Sequence, residues 1–430
     1  MKSSLRQLLK KIPGLKAAVD ACRKLRFAVE VPFYNNFLLP KNLKRIQKKT
    51  RLSVGFVAWS VPMWKYHSLY KAMETSDRFD PFVILSLSPG KNEATNRLEL
   101  EDMKKTFSER GYKIYDRVQS SDLNFEEELL KKADIVFFVQ PGLPCRMEKH
   151  LRKLVLCYSD YGFCISRAMS WSQNTFLENI CLLHFVSSIE IVGDIKKIRK
   201  NGGRNVFYGG YLYGDELLGW KKSKNPDPWK KQPREKKKVI WAPHFSIDPK
   251  HVLPISSFLK VCDSMLELAE EFKDTVQFAF KPHPYLYSKL CVDGFWGKEK
   301  TDAYYERWKN MENGQLEAGK YESLFFYSDA ILHDCGSFIF EYLYTKNPCM
   351  YLCGDESYFN DLTKDALSCY YRGSTKEEIR MFIQDVVIGG SDTLKEKREA
   401  FYQEHLLPPN GKSAAENIID SLSERIWGGK

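Results

Sequence analysis

The sequence has no run approaching the ~18 to 20 continuous apolar residues of a membrane-spanning helix. It has no apolar stretch near the N-terminus of the kind a cleavable signal carries. Its 11 cysteines are scattered without a Cys-x-x-Cys pair, and their odd number argues against a full disulfide framework. A reduced, cytoplasmic protein is expected. Several catalytic signatures are also missing. There is no Gly-x-x-x-x-Gly-Lys-Ser/Thr phosphate loop and no Gly-x-Gly-x-x-Gly after the first strand-like run. There is no His-Glu-x-x-His or paired Cys/His spacing for zinc. A Gly-x-Ser-x-Gly nucleophile elbow is absent, as is an Asp-x-Asp that would hold a divalent ion on a nucleotide diphosphate. Neither a resident metal nor a cofactor is expected.

What is present is globular. At 430 residues the chain is long enough for two domains, and 43% hydrophobic with 28% charged residues excludes general disorder. The net charge of +11 is unevenly placed. From Met1 to Arg51 there are 14 Lys/Arg against two acids, Asp20 and Glu30, a local +12 that leaves the rest of the chain near −1. In this segment Leu5, Leu8, Leu9, Ile12, Leu15, Val19 and Cys22 recur at near-helical spacing, interrupted at Pro13. Phe33, Tyr34, Phe37 and Leu38 follow, then a basic run ending at Arg51. Residues 1–51 therefore read as a basic amphipathic arm suited to an anionic membrane surface, with a helix packed on the protein body as the alternative. A nucleic-acid partner is disfavoured, because the near-neutral body offers no extended basic footprint.

From Leu52 strand-like and helix-like stretches alternate. Ser53–Trp59, Phe82–Leu87, Tyr112–Tyr115, Ile135–Val139 and Leu154–Tyr158 read as strands; Lys65–Thr75 and Glu93–Arg110 read as helices. Turn signals follow at Gln140-Pro141-Gly142 and Ser159-Asp160-Tyr161-Gly162-Phe163. Residues 52–220 form the expected first domain, and the polar, Pro-containing stretch 221–238 the expected linker. A second α/β series fills 239–430, with strands at Val239–Ala242, Thr275–Phe280, Ala330–Leu332 and Cys349–Cys353 and helices at Val252–Phe272 and Phe338–Tyr344. The fold class is α/β: two doubly wound, Rossmann-like domains with parallel sheets, facing a cleft.

Three turns in the second half follow apolar strands: Pro243-His244-Phe245-Ser246, Lys281-Pro282-His283-Pro284 and His333-Asp334-Cys335-Gly336-Ser337. In an open parallel sheet ligands bind beyond the carboxyl ends of the strands, so these turns are expected to converge on one crevice. They would supply His244, Ser246, Lys281, His283, Gly336 and Ser337, donors or potential cations suited to a diphosphate. Gly336 and Ser337 also lie at a helix N-terminus, where unpaired N–H groups and the dipole favour anions. Asp and Ser are equally the ordinary capping residues there. Glu341, one helical turn after Ser337, would accept from ribose or polyol hydroxyls.

Trp241 to Ser246, Phe280 to Pro284 and His333 to Glu341 together resemble the ordered blocks of the CDP-glycerol glycerophosphotransferases, GT-B-fold enzymes of teichoic acid and capsule synthesis. Gly210-Tyr211-Leu212 and Pro409-Asn410-Gly411-Lys412-Ser413-Ala414 fit the same order, so the resemblance spans roughly Asn205 to Ser421. It implies that His283 contacts the donor diphosphate, that Gly336 and Ser337 hold phosphate, and that Glu341, in place of the family's Asp, binds the nucleotide or glycerol moiety. The chain departs from the pattern where paired serines become Gly336-Ser337 and a Pro-Thr turn becomes Pro243-His244. The first domain also lacks the family's Trp-His-Gly block; Asp160, then His67, are the general bases expected in its stead, although Asp160 is equally placed to cap its own turn.

The resulting expectation is a peripheral enzyme on the inner face of the cytoplasmic membrane. It would move glycerophosphate, or another polyol phosphate, from a CDP-activated donor to a hydroxyl of a lipid-linked or polymer acceptor. A glycosyltransferase using a nucleotide-sugar donor is the first alternative, and a non-catalytic membrane-bound scaffold the second.

Overall fold

A computed structural model describes residues 21, 25, 27–88, 93–115, 132–140, 152–168, 173–292, 294–352 and 354–428. The Leu5-to-Val19 pattern, most of the Gln140-to-Gly142 turn and Cys353 lie outside the described residues. The chain divides into two compact units. One comprises Met1–Tyr161, Met169–Tyr213 and Pro409–Lys430, the other Gly162–Ala168 and Gly214–Pro408.

In the first unit β1 (Leu52–Ala58), β2 (Phe79–Leu85), β3 (Ile114–Tyr115), β4 (Ile135–Phe138), β5 (Val155–Ser159), β6 (Leu183–Val186) and β7 (Val206–Tyr208) form one sheet. Its order is β3-β2-β1-β4-β5-β6-β7 and every pairing is parallel. The central strands are buried along nearly their whole length, as the apolar runs Phe56 to Ala58 and Ile135 to Phe138 require once helices cover both faces. Phe56 stacks on Phe137 with centroids 5.2 Å apart, and Trp64, Tyr66 and Tyr70 pack around Phe56.

In the second unit β8 (Lys237–Ala242), β9 (Val276–Phe280), β10 (Gly314–Leu316), β11 (Ala330–His333), β12 (Cys349–Leu352) and β13 (Tyr371–Gly373) form a parallel sheet in the order β10-β9-β8-β11-β12-β13. Trp241 anchors its core between Phe258, Phe280 and Trp308. In both sheets the order in which strands are added reverses beside the first strand, as in a doubly wound nucleotide-binding fold. No helix among the described residues is long and apolar enough to cross a membrane.

The units differ from the sequence-based division in three places. Helix Ala414–Trp427 belongs to the first unit, not to a second domain running to the C-terminus. Its Ala414, Ile418, Leu422 and Ile426 enter the first unit's core, and Asn417 donates to the Gly209 carbonyl. Gly162–Ala168 belongs to the second unit: Phe163 stacks on Phe340 at 4.2 Å, and the Asn360 backbone donates to the Ile165 carbonyl at 2.9 Å. The expected linker is ordered on the second unit. Trp229 is buried there and the Lys230 N–H donates to the Gln315 amide oxygen at 2.7 Å, because its tryptophan supplies apolar area that a free linker would leave in water.

The helix expected from Val252 begins only at Phe258. Its N-terminus is satisfied from another strand: the Asp334 carboxylate, just past β11, accepts from the Ser257 N–H at 2.6 Å and the Ser257 hydroxyl at 2.8 Å.

Candidate active site

Because β9, β8 and β11 are adjacent, the three turns of interest lie side by side at the carboxyl ends of their strands. The Lys281 N–H donates to the Trp241 carbonyl at 2.8 Å and the His283 N–H to the Pro243 carbonyl at 3.0 Å, which fastens the β9 turn to the β8 turn. The Asp334 carboxylate accepts from the His244 N–H and ties β11 to both. Asp334 is fully buried, and burial lifts its pKa to about 6 against these opposing hydrogen bonds. It is a structural clamp.

The imidazoles of His244 and His283 meet edge to face with centroids 5.0 Å apart. The Ser246 N–H donates to His244 Nδ1 and the Tyr285 N–H to His283 Nδ1, at 3.3 and 3.1 Å. An Nδ1 that accepts leaves the proton on Nε2, so both rings present an Nε2–H. Burial pulls His244 down to about 3, with His283 and His251 adding to it, and burial followed by Lys281 brings His283 to about 4. Both are therefore neutral donors at physiological pH. Phe245 packs against both rings at 4.4 Å and closes one side of the pair.

Charge at this point comes from Lys281. Only 6% of the residue is exposed, yet its ammonium has no hydrogen bond or ion pair among the described residues. Burial pushes its pKa below the ordinary lysine value, opposed by Glu317, Cys335 and Glu322. A cation without an ion-pair partner, on turns that also carry two imidazole N–H donors, is an arrangement that an oxyanion completes.

The remaining expected residues fall differently. Ser246 is buried, its hydroxyl lying 2.8 Å from His244 Nδ1 and accepting from the Ile255 N–H, so it positions His244 and has no free donor. Gly336 is buried, and a Cβ there would sit 2.5 Å from Ile165 Cδ1, so the crossing segment packs directly on this turn. Ser337 is exposed and its hydroxyl has no hydrogen bond among the described residues, but the α-helix it precedes is only Phe338–Glu341, continuing as a 3₁₀ turn to Thr345. That brevity removes most of the expected dipole contribution. Glu341 is buried and accepts from the Tyr321 hydroxyl at 2.7 Å, so it faces Tyr321.

In the first unit Asp160 follows β5 directly and His67 opens helix His67–Glu74 after β1. His67 Nδ1 contacts the Tyr112 hydroxyl. Asp160 does not cap its own turn. Its Oδ1 lies 2.8 Å from His184 Nε2, His184 Nδ1 accepts from Arg199, and Oδ2 is buried with no partner. All three side chains are buried. Arg199 also donates to the Gln173 and Glu178 carbonyls, and its pKa is pushed down by burial despite Glu178. Sequence reasoning missed His184 and Arg199. It also missed Lys65, a buried lysine whose ammonium sits 3.4 Å from the centre of the Tyr213 ring and 5.6 Å from that of Tyr161. Among the described residues no three His, Cys, Asp or Glu side chains group as a metal site.

No protein-family model and no curated protein matches the sequence. Solved structures do match in fold. S. aureus MnaA with UDP superposes with a TM-score of 0.57 at 14% identity, covering 88% of this chain and 97% of that one. The UDP-GlcNAc 2-epimerase of Neisseria meningitidis, bound to UDP-GlcNAc, gives 0.56 at 14% identity over 87% of this chain and 100% of its own. The wall teichoic acid polymerase TagF gives 0.55 at 15% identity over 99% of this chain and 98% of its own. At these identities the likeness is one of fold: two parallel-sheet, Rossmann-like domains of the GT-B type.

Proposed function

We propose that the chain is a transferase that moves glycerophosphate, or another polyol phosphate, from a CDP-activated donor to an acceptor hydroxyl in teichoic acid or capsule synthesis, peripheral to the inner face of the cell membrane. The observation that carries the reading is the largely buried Lys281, without an ion pair among the described residues, on the same turn as His283 and fastened to the turn that carries His244. These three groups would bind the donor diphosphate, with the Ser337 hydroxyl as a further donor and Glu341 behind it. The fold match to a wall teichoic acid polymerase along nearly the whole chain supports the polymer class.

In the reaction the acceptor oxygen attacks the phosphorus that carries the polyol. The bond to the bridging oxygen breaks, and CMP departs with its charge stabilised by Lys281 and the two imidazole N–H groups. The acceptor proton passes to a general base, for which Asp160 and, second, His67 are the proposed groups. Charge stabilisation of this kind needs no divalent ion.

A nucleotide-sugar reading has its own support, because two fold matches are proteins solved with UDP or UDP-GlcNAc. Calorimetric titration of CDP, CMP, UDP and GDP into wild type and His283→Ala separates the two. The proposal expects CDP to bind most tightly and His283→Ala to weaken it about tenfold, the cost of one hydrogen bond to a charged group. Preference for UDP or GDP transfers the case to sugar chemistry, and no nucleotide binding leaves only the scaffold.

A further inference from the structure

The described part of the basic arm is a helix docked by one face and bare on the other. Residues 27–46 are helical throughout, passing through a π-helical stretch, Tyr34–Leu38, into Leu39–Ile46. The docked face buries Val31, Tyr34, Asn42 and Ile46. The Tyr34 hydroxyl donates to the Leu154 carbonyl at 2.6 Å, Asn35 to the Asn179 carbonyl at 2.9 Å, and Arg45 and Lys49 both pair with Asp134. Asp134 and Leu154 immediately precede β4 and β5, so the helix crosses the amino-terminal ends of the first sheet, the end opposite Asp160.

The other face carries Leu25, Val29, Phe33 and Phe37, respectively 68%, 61%, 45% and 66% exposed. Their spacing of four would drift around an α-helix. The wider π turn returns Phe37 over Phe33, with ring centroids 5.7 Å apart. From residue 28 to residue 40 the exposed positions include a single polar side chain, Asn36, and no charge. Directly beyond come Lys41, Lys44 and Lys48, exposed and without a hydrogen bond or ion pair among the described residues. The one acid between residues 21 and 51, Glu30, faces Arg152 at 3.9 Å.

We propose that this face docks on an anionic lipid bilayer, with Leu25, Val29, Phe33 and Phe37 at the headgroup–acyl boundary and Lys41, Lys44 and Lys48 on lipid phosphates. An apolar stripe with a cationic end matches such an interface in both of its layers. A second copy of the chain is a poorer occupant, since a two-fold contact through this face would bring two sets of uncompensated lysines together. The surface is a rigid part of the first unit and not a tether, so it fixes which end of that unit meets the membrane. The inference is independent of the transferase reading.

Full-length protein is floated with vesicles of phosphatidylcholine alone and of equimolar phosphatidylcholine and phosphatidylglycerol. Wild type is expected on the anionic vesicles only, with binding weakened by added salt. Val29→Ser/Phe33→Ser/Phe37→Ser is expected to lose roughly tenfold or more in vesicle affinity at unchanged charge. Lys41→Gln/Lys44→Gln/Lys48→Gln is expected to lose most of its salt dependence. The substituted side chains are exposed, so unfolding midpoints and nucleotide binding should stay at wild-type values. Absence of wild-type binding, equal binding to both vesicles, or triple-serine binding equal to wild type would each overturn the proposal. So would a dimer in vesicle-free solution that the serine variant dissociates.

Discussion

Replacing Lys281 with methionine is expected to weaken CDP binding about a hundredfold, near 3 kcal/mol, the usual loss when one partner of a desolvated charge pair is removed. The same change should leave the unliganded protein as stable as wild type or more so. In the free protein the largely buried side chain gains no ion pair among the described residues, whereas methionine fills a similar volume with no charge to desolvate. Loss of function with gain of stability is the mark of a group held for a ligand. The pH dependence has a definite sign. Burial places the folded-state pKa of Lys281 below the 10.5 of an ordinary lysine. Between those two values the unfolded chain keeps a proton that the folded chain has released, so stability gains from rising pH across that window. Wild type should show this gain relative to Lys281→Met when unfolding midpoints are compared along a pH series. A methionine variant that binds CDP normally, or unfolds much earlier, would remove Lys281 from the site.

His184→Ala is expected to destabilise the first unit by about 3 to 5 kcal/mol, the penalty for breaking a buried charged network by removing one member. For a unit of this size that corresponds to a fall in melting temperature of roughly 10 °C or more. His184 stands between Arg199 and Asp160, accepting from one and contacting the other, and all three are buried. His184→Gln, which keeps an amide donor for Asp160, should recover much of the loss, while the apolar His184→Leu should not. Arg199→Met combined with His184→Ala should cost less than the separate changes added together, because each alone strands the other's partners. Equal effects of glutamine and leucine would mean that packing volume, not the polar chain, is what His184 supplies.

These two residues show where the sequence was readable and where it was not. The strands at Ile135, Val239, Val276 and Ala330 were legible because both faces of a parallel strand are covered, which leaves continuous apolar runs. The three turns at their carboxyl ends were legible for the same reason. Lys281 and His283 stand out as polar residues directly after buried strands, but sequence pattern carries no burial and so could not tell neutral imidazoles from charged ones. Strands β7, β10 and β13 are three residues long and gave no periodic signal. His184 sits inside the short β6, where it reads as an interruption of an apolar strand; its meaning depends on Arg199 and Asp160, 15 and 24 residues away. The delayed start of helix Phe258–Glu271 rests on Asp334, 77 residues from Ser257, a cap no local rule anticipates. The packing of Ile165 on Gly336 was hidden as well, because the two lie far apart in the sequence. The return of Ala414–Trp427 to the first unit was likewise hidden, because an amphipathic helix does not name the sheet it covers.

The measurement that tests the central claim most directly is turnover. The protein is incubated with CDP-glycerol and a glycerophosphate-primed acceptor, and in parallel with UDP-GlcNAc, and the released nucleotides are separated. The account predicts release of CMP together with extension of the acceptor, abolished in Lys281→Met, and no UDP from the sugar nucleotide. Release of UDP, or epimerisation of UDP-GlcNAc, with CDP-glycerol left intact would contradict it.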